Sequence, residues 1–185
     1  MVYLKAMLRK SGIQQLKDQL AQSPDAKQVE ERLILKQLFE SSQWKKAKII
    51  ATTKSMPYEF DTTRLMDEAW NAGKRLLLPK VYSQGRMEFV EVFPETSYTM
   101  TKIGVSEPVS ETIIEKSDID LIVVPGVLFN TDGYRIGFGG GFYDRYLADF
   151  KGETCSLVFE VQLGQEWLPD RYDQPVKQLY TKIEV

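Results

Sequence analysis

Histidine is absent from this 185-residue chain, and cysteine occurs once, as Cys155. The first absence excludes a Ser-His-Asp triad, a Cys-His dyad and any imidazole-ligated metal. The second excludes an intrachain disulfide and any thiolate-rich zinc or iron-sulfur site. A metal bound here must sit on oxygen, which favours magnesium or calcium. Acid-base work falls to carboxylates, lysine, tyrosine or the substrate itself. Cys155 lies just before Leu157-Val158-Phe159 and reads as a buried core thiol, since no histidine is present to activate it.

An excess of one charge is also lacking. Lysine and arginine number 24 against 26 aspartates and glutamates, a net charge of -2. The strongly basic footprint of a nucleic-acid binder is missing, so no nucleic-acid partner is expected. No stretch approaches the ~18 consecutive apolar residues of a membrane span. The first 20 residues carry charge throughout, unlike a signal peptide. The expectation is a cytoplasmic protein without a membrane partner, a monomer or weak dimer. Its 43% hydrophobic content suits one domain over residues 1–185.

What is present is an alternation of helical and strand patterns, without internal repeats. Leu4, Met7, Leu8, Leu16 and Leu20 mark a first apolar helical stripe, with Gly12 a weak point. Val29, Leu33, Leu35, Leu38 and Phe39 mark a second helix after the turn at Ser23-Pro24-Asp25. Strands are expected at 48–52, at 75–78 (stopped by Pro79), at 87–93 nearer an edge, at 120–125, at 154–161 and at 181–185. A helix is expected over 62–71, ended by Gly73, and a loop over 104–108. Trp44-Lys45-Lys46-Ala47-Lys48 reads as a solvated helix end with a packed tryptophan. Short apolar strands separated by helices imply an α/β fold of three layers. Its mainly parallel sheet would carry helices on both faces, with the N-terminal helices packed on it.

Ligands of such sheets bind beyond the carboxyl ends of the strands. Two loops there have unusual composition: residues 53–61, TKSMPYEFD, and residues 125–144, PGVLFNTDGYRIGFGGGFYD. In the second, Gly137, Gly139, Gly140 and Gly141 let backbone N–H groups approach a ligand, and a helix begins near Phe142. That combination suits a phosphate, with Arg135 as an added cation. It also suits a plain strand-to-helix turn. No Gly-Lys-Ser/Thr ends the loop, so it is not a P-loop. Phe142 stands where a dinucleotide fingerprint needs its third glycine.

The stretch from Val124 to Leu147, VPGVLFNTDGYRIGFGGGFYDRYL, closely resembles the signature of the 5-formyltetrahydrofolate cyclo-ligases, or methenyltetrahydrofolate synthetases. Lys5 and Arg9 on the first helix resemble the family's N-terminal basic pair. Ser55-Met56-Pro57-Tyr58-Glu59 resembles its folate-contacting segment, and Asp173 the aspartate of its C-terminal metal-binding segment. The glycine-loop motif is specific; the other matches count through their order. The resemblance implies ATP-dependent closure of 5-formyltetrahydrofolate to 5,10-methenyltetrahydrofolate through a phosphorylated formyl oxygen. It implies ATP contacts from Lys5, Arg9, Arg135, Ile136, Gly137, Phe138, Gly139, Gly140, Gly141, Phe142 and Tyr143, with Arg135 and Lys5 acting on the reacting phosphate. It implies reduced-folate contacts from Lys54, Met56 and Glu59 together with Phe138 to Phe142, and magnesium held by Asp144 and Asp173. Lys54 and Lys177 depart from the family pattern, which more often has an apolar and an acidic residue there. Two other readings use the same loop: a kinase or ligase of another small acid, and a non-catalytic nucleotide or folate binder.

Overall fold

The computed structural model describes residues 2–101, 104–164 and 167–182. Helices α1 (Val2–Gln22) and α2 (Pro24–Glu40) adjoin at Ser23, and the single turn α3 (Ser42–Lys46) leads into β1 (Ile49–Ala51). Then follow α4 (Thr63–Asn71), β2 (Arg75–Val81), β3 (Met87–Val92), and a hairpin of β4 (Tyr98–Met100) and β5 (Ser106–Pro108). Next come β6 (Leu121–Val123), a small ladder of β7 (Leu128–Phe129) and β8 (Arg135–Ile136), and α5 (Phe142–Leu147). The chain closes with β9 (Glu153–Leu157) and β10 (Gln178–Tyr180).

The central sheet has six strands in the order β10-β9-β6-β1-β2-β3, all parallel except β3. Its side chains alternate between two cores, as the period of a strand requires. Ile50, Leu76, Leu78, Leu121 and Val123 face the core built with α2, α3 and α4. Ala51, Leu77, Ile122 and Val124 face the other core, which holds Phe89, Tyr146 and Leu147. The three-layer expectation is met, although the second helical layer is thin. Trp44 and Cys155 are buried, and burial pushes the Cys155 thiol far up from its ordinary range.

Several boundaries differ from expectation. β2 does not stop at Pro79. The Phe89 carbonyl opposite it accepts from Ile114 N, away from β2, so Pro79 and Phe89 form a non-hydrogen-bonded pair and no ladder donor is missing. Part of the expected 104–108 loop is strand β5, and β9 ends at Leu157. The last strand is Gln178–Tyr180; of the 181–185 strand, residues 183–185 lie outside the described residues. Among the described residues no helix is long and apolar enough to cross a membrane.

The helical stripes were only partly legible. Leu16 is buried and Leu8 packs on a satellite core of Val127, Leu128, Ile136 and Trp167, but Leu4 and Met7 are exposed. Helix α1 runs unbroken through Gly12, where an added Cβ would lie 2.7 Å from Val127 and 2.8 Å from Leu128. The glycine is a point of close approach that seats α1 on the satellite core. On α2, Val29 and Leu33 are exposed, whereas Lys27, Glu30 and Glu31 are buried beside Ile34, Leu35 and Leu38. The carboxylates face inward because loops leaving the sheet need acceptors: Glu31 accepts Asp61 N at 2.8 Å and Glu30 accepts Glu160 N at 2.7 Å.

Candidate active site

The five parallel strands read 2-1-3-4-5 in chain order, so the crossovers leave in opposite directions between β1 and β6. A crevice opens beyond the carboxyl ends of strands at such a point. The loop after β1 and the start of the loop after β6 do meet there. Thr52, Thr53, Ser55 and Glu59 line a cavity of about 40 Å³ with Val124, Pro125 and Gly126.

Along this edge runs a chain of charged contacts built from four separate elements. Arg135 on β8 is almost wholly buried. It donates to the Gln174 carbonyl at 2.6 Å and to Asp144 on α5 at 3.0 Å. The same Asp144 oxygen accepts Gln174 N at 3.2 Å, which ties α5 to the C-terminal loop. Burial lowers the pKa of Arg135, and the charge of Asp144 opposes that effect. From α1, Lys5 donates to Asp173 and, at 3.0 Å, to Asp170. Burial works to lower the Lys5 pKa, but the hydrogen bonds and charges of Asp173 and Asp170 prevail and raise it. One turn further along α1, Arg9 donates through Nε to the Gly137 carbonyl at 2.6 Å. Its guanidinium lies 3.3 Å from where a Cβ on Gly139 would be.

Two cations touch the glycine loop directly, Arg9 at the Gly137 carbonyl and Arg145 at the Gly140 carbonyl at 2.9 Å. Gly139 and Gly141 have φ of +98° and +63°, conformations that a side chain would strain. Gly140 is tight for another reason, since a Cβ there would lie 2.5 Å from the Phe142 ring. Helix α5 has six residues, so its dipole contributes little, and the positive charge in contact with the loop is that of Arg9 and Arg145, since Lys5 and Arg135 are paired with carboxylates. Phe138 projects from the loop, 43% exposed. Ile136 instead pairs with Leu128 and is buried in the satellite core, so any ligand contact it makes runs through its backbone.

The second group surrounds Glu59. Its carboxylate accepts Met56 N at 2.6 Å, and the Tyr58 hydroxyl donates to the Met56 sulfur at 3.4 Å. Burial pushes the Glu59 carboxyl above its ordinary range, against the lowering effect of the Met56 N–H. Glu59 also bears electrostatically on Tyr143, a half-buried residue whose hydroxyl is buried, which brings the two loops into one field. Lys54 turns outward, its ammonium 3.7 Å from the centre of the Tyr98 ring on the β4–β5 hairpin. Lys177 pairs with Glu153 at 2.9 Å, at the amino end of β9, and so takes no part in the Asp144 and Asp173 cluster.

Sequence reasoning missed two members of this edge. Asp170 shares Lys5 with Asp173, a pairing across 165 positions that only the fold reveals. Thr52 looked like an ordinary strand residue, yet it is buried at the end of β1 and lines the cavity. Its position, directly after the strand next to the crossover point, was the available signal.

The model of the 5-formyltetrahydrofolate cyclo-ligase family matches residues 3–182. A probable 5-formyltetrahydrofolate cyclo-ligase of Schizosaccharomyces pombe is 35% identical over 150 residues, 75% of this chain and 74% of that one. The 5-formyltetrahydrofolate cyclo-ligase of Escherichia coli is 30% identical over 146 residues, 75% of this chain and 80% of its own. Among solved structures, the 5,10-methenyltetrahydrofolate synthetase of Aquifex aeolicus aligns with a TM-score of 0.82 at 31% identity. That alignment covers 98% of this chain and 91% of that one.

Proposed function

The chain belongs to the 5-formyltetrahydrofolate cyclo-ligase family and is an enzyme that cyclises 5-formyltetrahydrofolate to 5,10-methenyltetrahydrofolate; from that premise we propose how its residues drive the closure with ATP. The observation that carries the proposal is the charged chain that flanks the glycine loop: Arg9 on the Gly137 carbonyl, Arg135 on Asp144 in the helix that follows, and Lys5 on Asp173 of the C-terminal loop. Such a loop needs little acid-base machinery, which suits a chain without histidine.

The formyl oxygen attacks the γ-phosphorus of ATP. An O–P bond forms, the bond to ADP breaks, and the formyl carbon becomes electrophilic. The folate N10 then attacks that carbon and loses its proton. Cleavage of the C–O bond releases inorganic phosphate and leaves the N5–CH–N10 bridge. Both nucleophiles belong to the substrate, so the protein's tasks are positioning and charge stabilisation. Arg135, held rigidly by Gln174 and Asp144, would neutralise charge on the transferring phosphoryl group, and Lys5 would exchange its carboxylate partners for phosphate oxygens. Arg9 and the backbone of Gly137, Gly139, Gly140 and Gly141 would hold the remaining phosphates, with Ile136, Phe138, Phe142 and Tyr143 shaping the nucleotide's side. Glu59 and Met56 would fix the pterin, and Phe138 to Phe142 would bring the formyl group to the phosphate. Lys54, exposed on Tyr98, fits a contact at the substrate's outer end.

Magnesium fits the donors present. Asp144 and Asp173 each engage one carboxylate oxygen, and among the described residues Asp144 Oδ2 and Asp173 Oδ1 make no hydrogen bond. A hard cation held there with phosphate oxygens would offset the charge that develops on transfer. Every group named comes from one chain, so a monomer suffices. A cytoplasmic address suits a consumer of ATP whose single thiol stays buried.

The test is growth of the methenyl chromophore from 5-formyltetrahydrofolate with purified protein. One ADP per product is expected, with no growth when ATP is omitted. Product formed without ATP, or binding of both ligands without product, would overturn the proposal.

A further inference from the structure

Among the described residues lining the cavity between the ends of β1 and β6, one fully buried hydroxyl is left unserved by the fold. Thr62 donates its hydroxyl proton to the Thr53 carbonyl at 2.6 Å and accepts Ser55 N at 3.3 Å. Gln162 donates to the Gly126 carbonyl at 2.9 Å and accepts Phe159 N at 3.0 Å. The Thr52 side chain is 1% exposed, and among the described residues its hydroxyl has no hydrogen-bond partner. Its backbone is fixed, because Thr52 N still bonds to the Leu77 carbonyl at 3.0 Å as the last link of the β1–β2 ladder. A rigidly held, buried, unpaired hydroxyl lowers the stability of the fold. Such groups persist where a ligand completes them.

The second polar group of the cavity is an acceptor. Glu59 lines the same space, and one of its carboxylate oxygens takes Met56 N while the other makes no hydrogen bond among the described residues. Thr52 and Glu59 thus line one volume of about 40 Å³, which admits the edge of a ring rather than a whole bicyclic molecule. The pterin of a reduced folate has such an edge, where the 2-amino group and N3–H stand beside the 4-carbonyl. We propose that Thr52 is a substrate-recognition residue of the cyclo-ligase, its hydroxyl donating to the pterin 4-carbonyl while Glu59 accepts from the adjacent N–H groups. This rests on the folate reading of the site given above. Placed at the end of a central strand, Thr52 sets the depth at which the ring stops, which fixes where the formyl group stands relative to the glycine loop.

Full-length Thr52→Val and Thr52→Ser test it through separate calorimetric titrations with 5-formyltetrahydrofolate and with ATP, steady-state kinetics, and thermal melts without ligand. Valine keeps the shape and removes the hydroxyl. The expected result is a melting temperature equal to or above the parent's, with folate Kd and KM raised about tenfold or more and ATP Kd within about twofold. Thr52→Ser should return the folate constant to within about threefold of the parent. A valine variant that binds folate like the parent overturns the inference. So does one that loses folate and ATP affinity together with thermal stability, which would make Thr52 a packing residue. A parent that binds 5-formyltetrahydrofolate without ATP-dependent turnover refutes the proposed activity alone, and the valine and serine titrations still decide the role of Thr52. A parent that binds no folate refutes both.

Discussion

Arg135 and Asp144 form an ion pair of 3.0 Å between the start of β8 and the first turn of α5, and the aspartate oxygen that takes it also accepts Gln174 N. That oxygen is committed to structure, and the Lys5-bound oxygen of Asp173 is likewise engaged. If the two carboxylates share one magnesium through their other oxygens, Asp144→Asn and Asp173→Asn should each raise the magnesium concentration giving half-maximal activity by about tenfold or more. The double variant should be scarcely worse than the poorer single one, because the residues act as a unit. An Asp173→Asn protein that titrates with magnesium like the parent contradicts the shared site.

Gly137 offers the cleanest probe of the phosphate cradle. A Cβ there meets nothing within 4 Å and its φ is not positive, whereas at Gly140 the same atom would strike Phe142. Gly137→Ala is expected to melt within about 2 °C of the parent while ATP Kd rises roughly tenfold. Unchanged ATP affinity would mean that the backbone at 137 does not approach the phosphates.

The features legible in the sequence were those set by local pattern. The apolar runs Leu76-Leu77-Leu78 and Leu121-Ile122-Val123 announce buried strands, since few other structures satisfy them. The glycines and Arg135 announce the loop. What escaped depended on distant partners. Glu30 and Glu31 turn inward because backbone donors at 160 and 61 need them, and no helical period records that. Pro79 looks like a stop until its opposite residue, Phe89, is seen to bond elsewhere. Thr52 and Asp170 join this edge only when β6 and α1 arrive beside them.

Gly12 is a case where propensity and packing oppose each other. Alanine in a helix interior ordinarily gains ~1 kcal/mol over glycine. Here its methyl would press on Val127 and Leu128, and overpacking of that kind costs ~1–3 kcal/mol. The balance is a net cost of up to about 2 kcal/mol, so Gly12→Ala should melt lower than the parent, by up to roughly 8 °C. It should also weaken ATP binding, because α1 carries Lys5 and Arg9. A melting temperature above the parent's would show that the close approach is not real.

Glu59 should link folate binding to pH. Its folded pKa lies above the ordinary 4.5, so the folded state holds the proton more tightly than the unfolded chain. Its contribution to stability is complete below the ordinary value and is lost as pH rises through the raised one. Folate affinity should change in the opposite sense, growing as the carboxylate ionises and can accept pterin N–H groups. Glu59→Gln should flatten both profiles, seen in melts and folate titrations across the acidic range. Parallel profiles for parent and variant would remove Glu59 from the pterin site.

The central claim is that the formyl oxygen becomes a phosphate ester before N10 closes the ring. Substrate carrying ¹⁸O in the formyl group, turned over with unlabelled ATP, tests it most directly by mass spectrometry of the released phosphate. The account predicts one labelled oxygen in each inorganic phosphate formed. Unlabelled phosphate, with the isotope recovered in water, would contradict it.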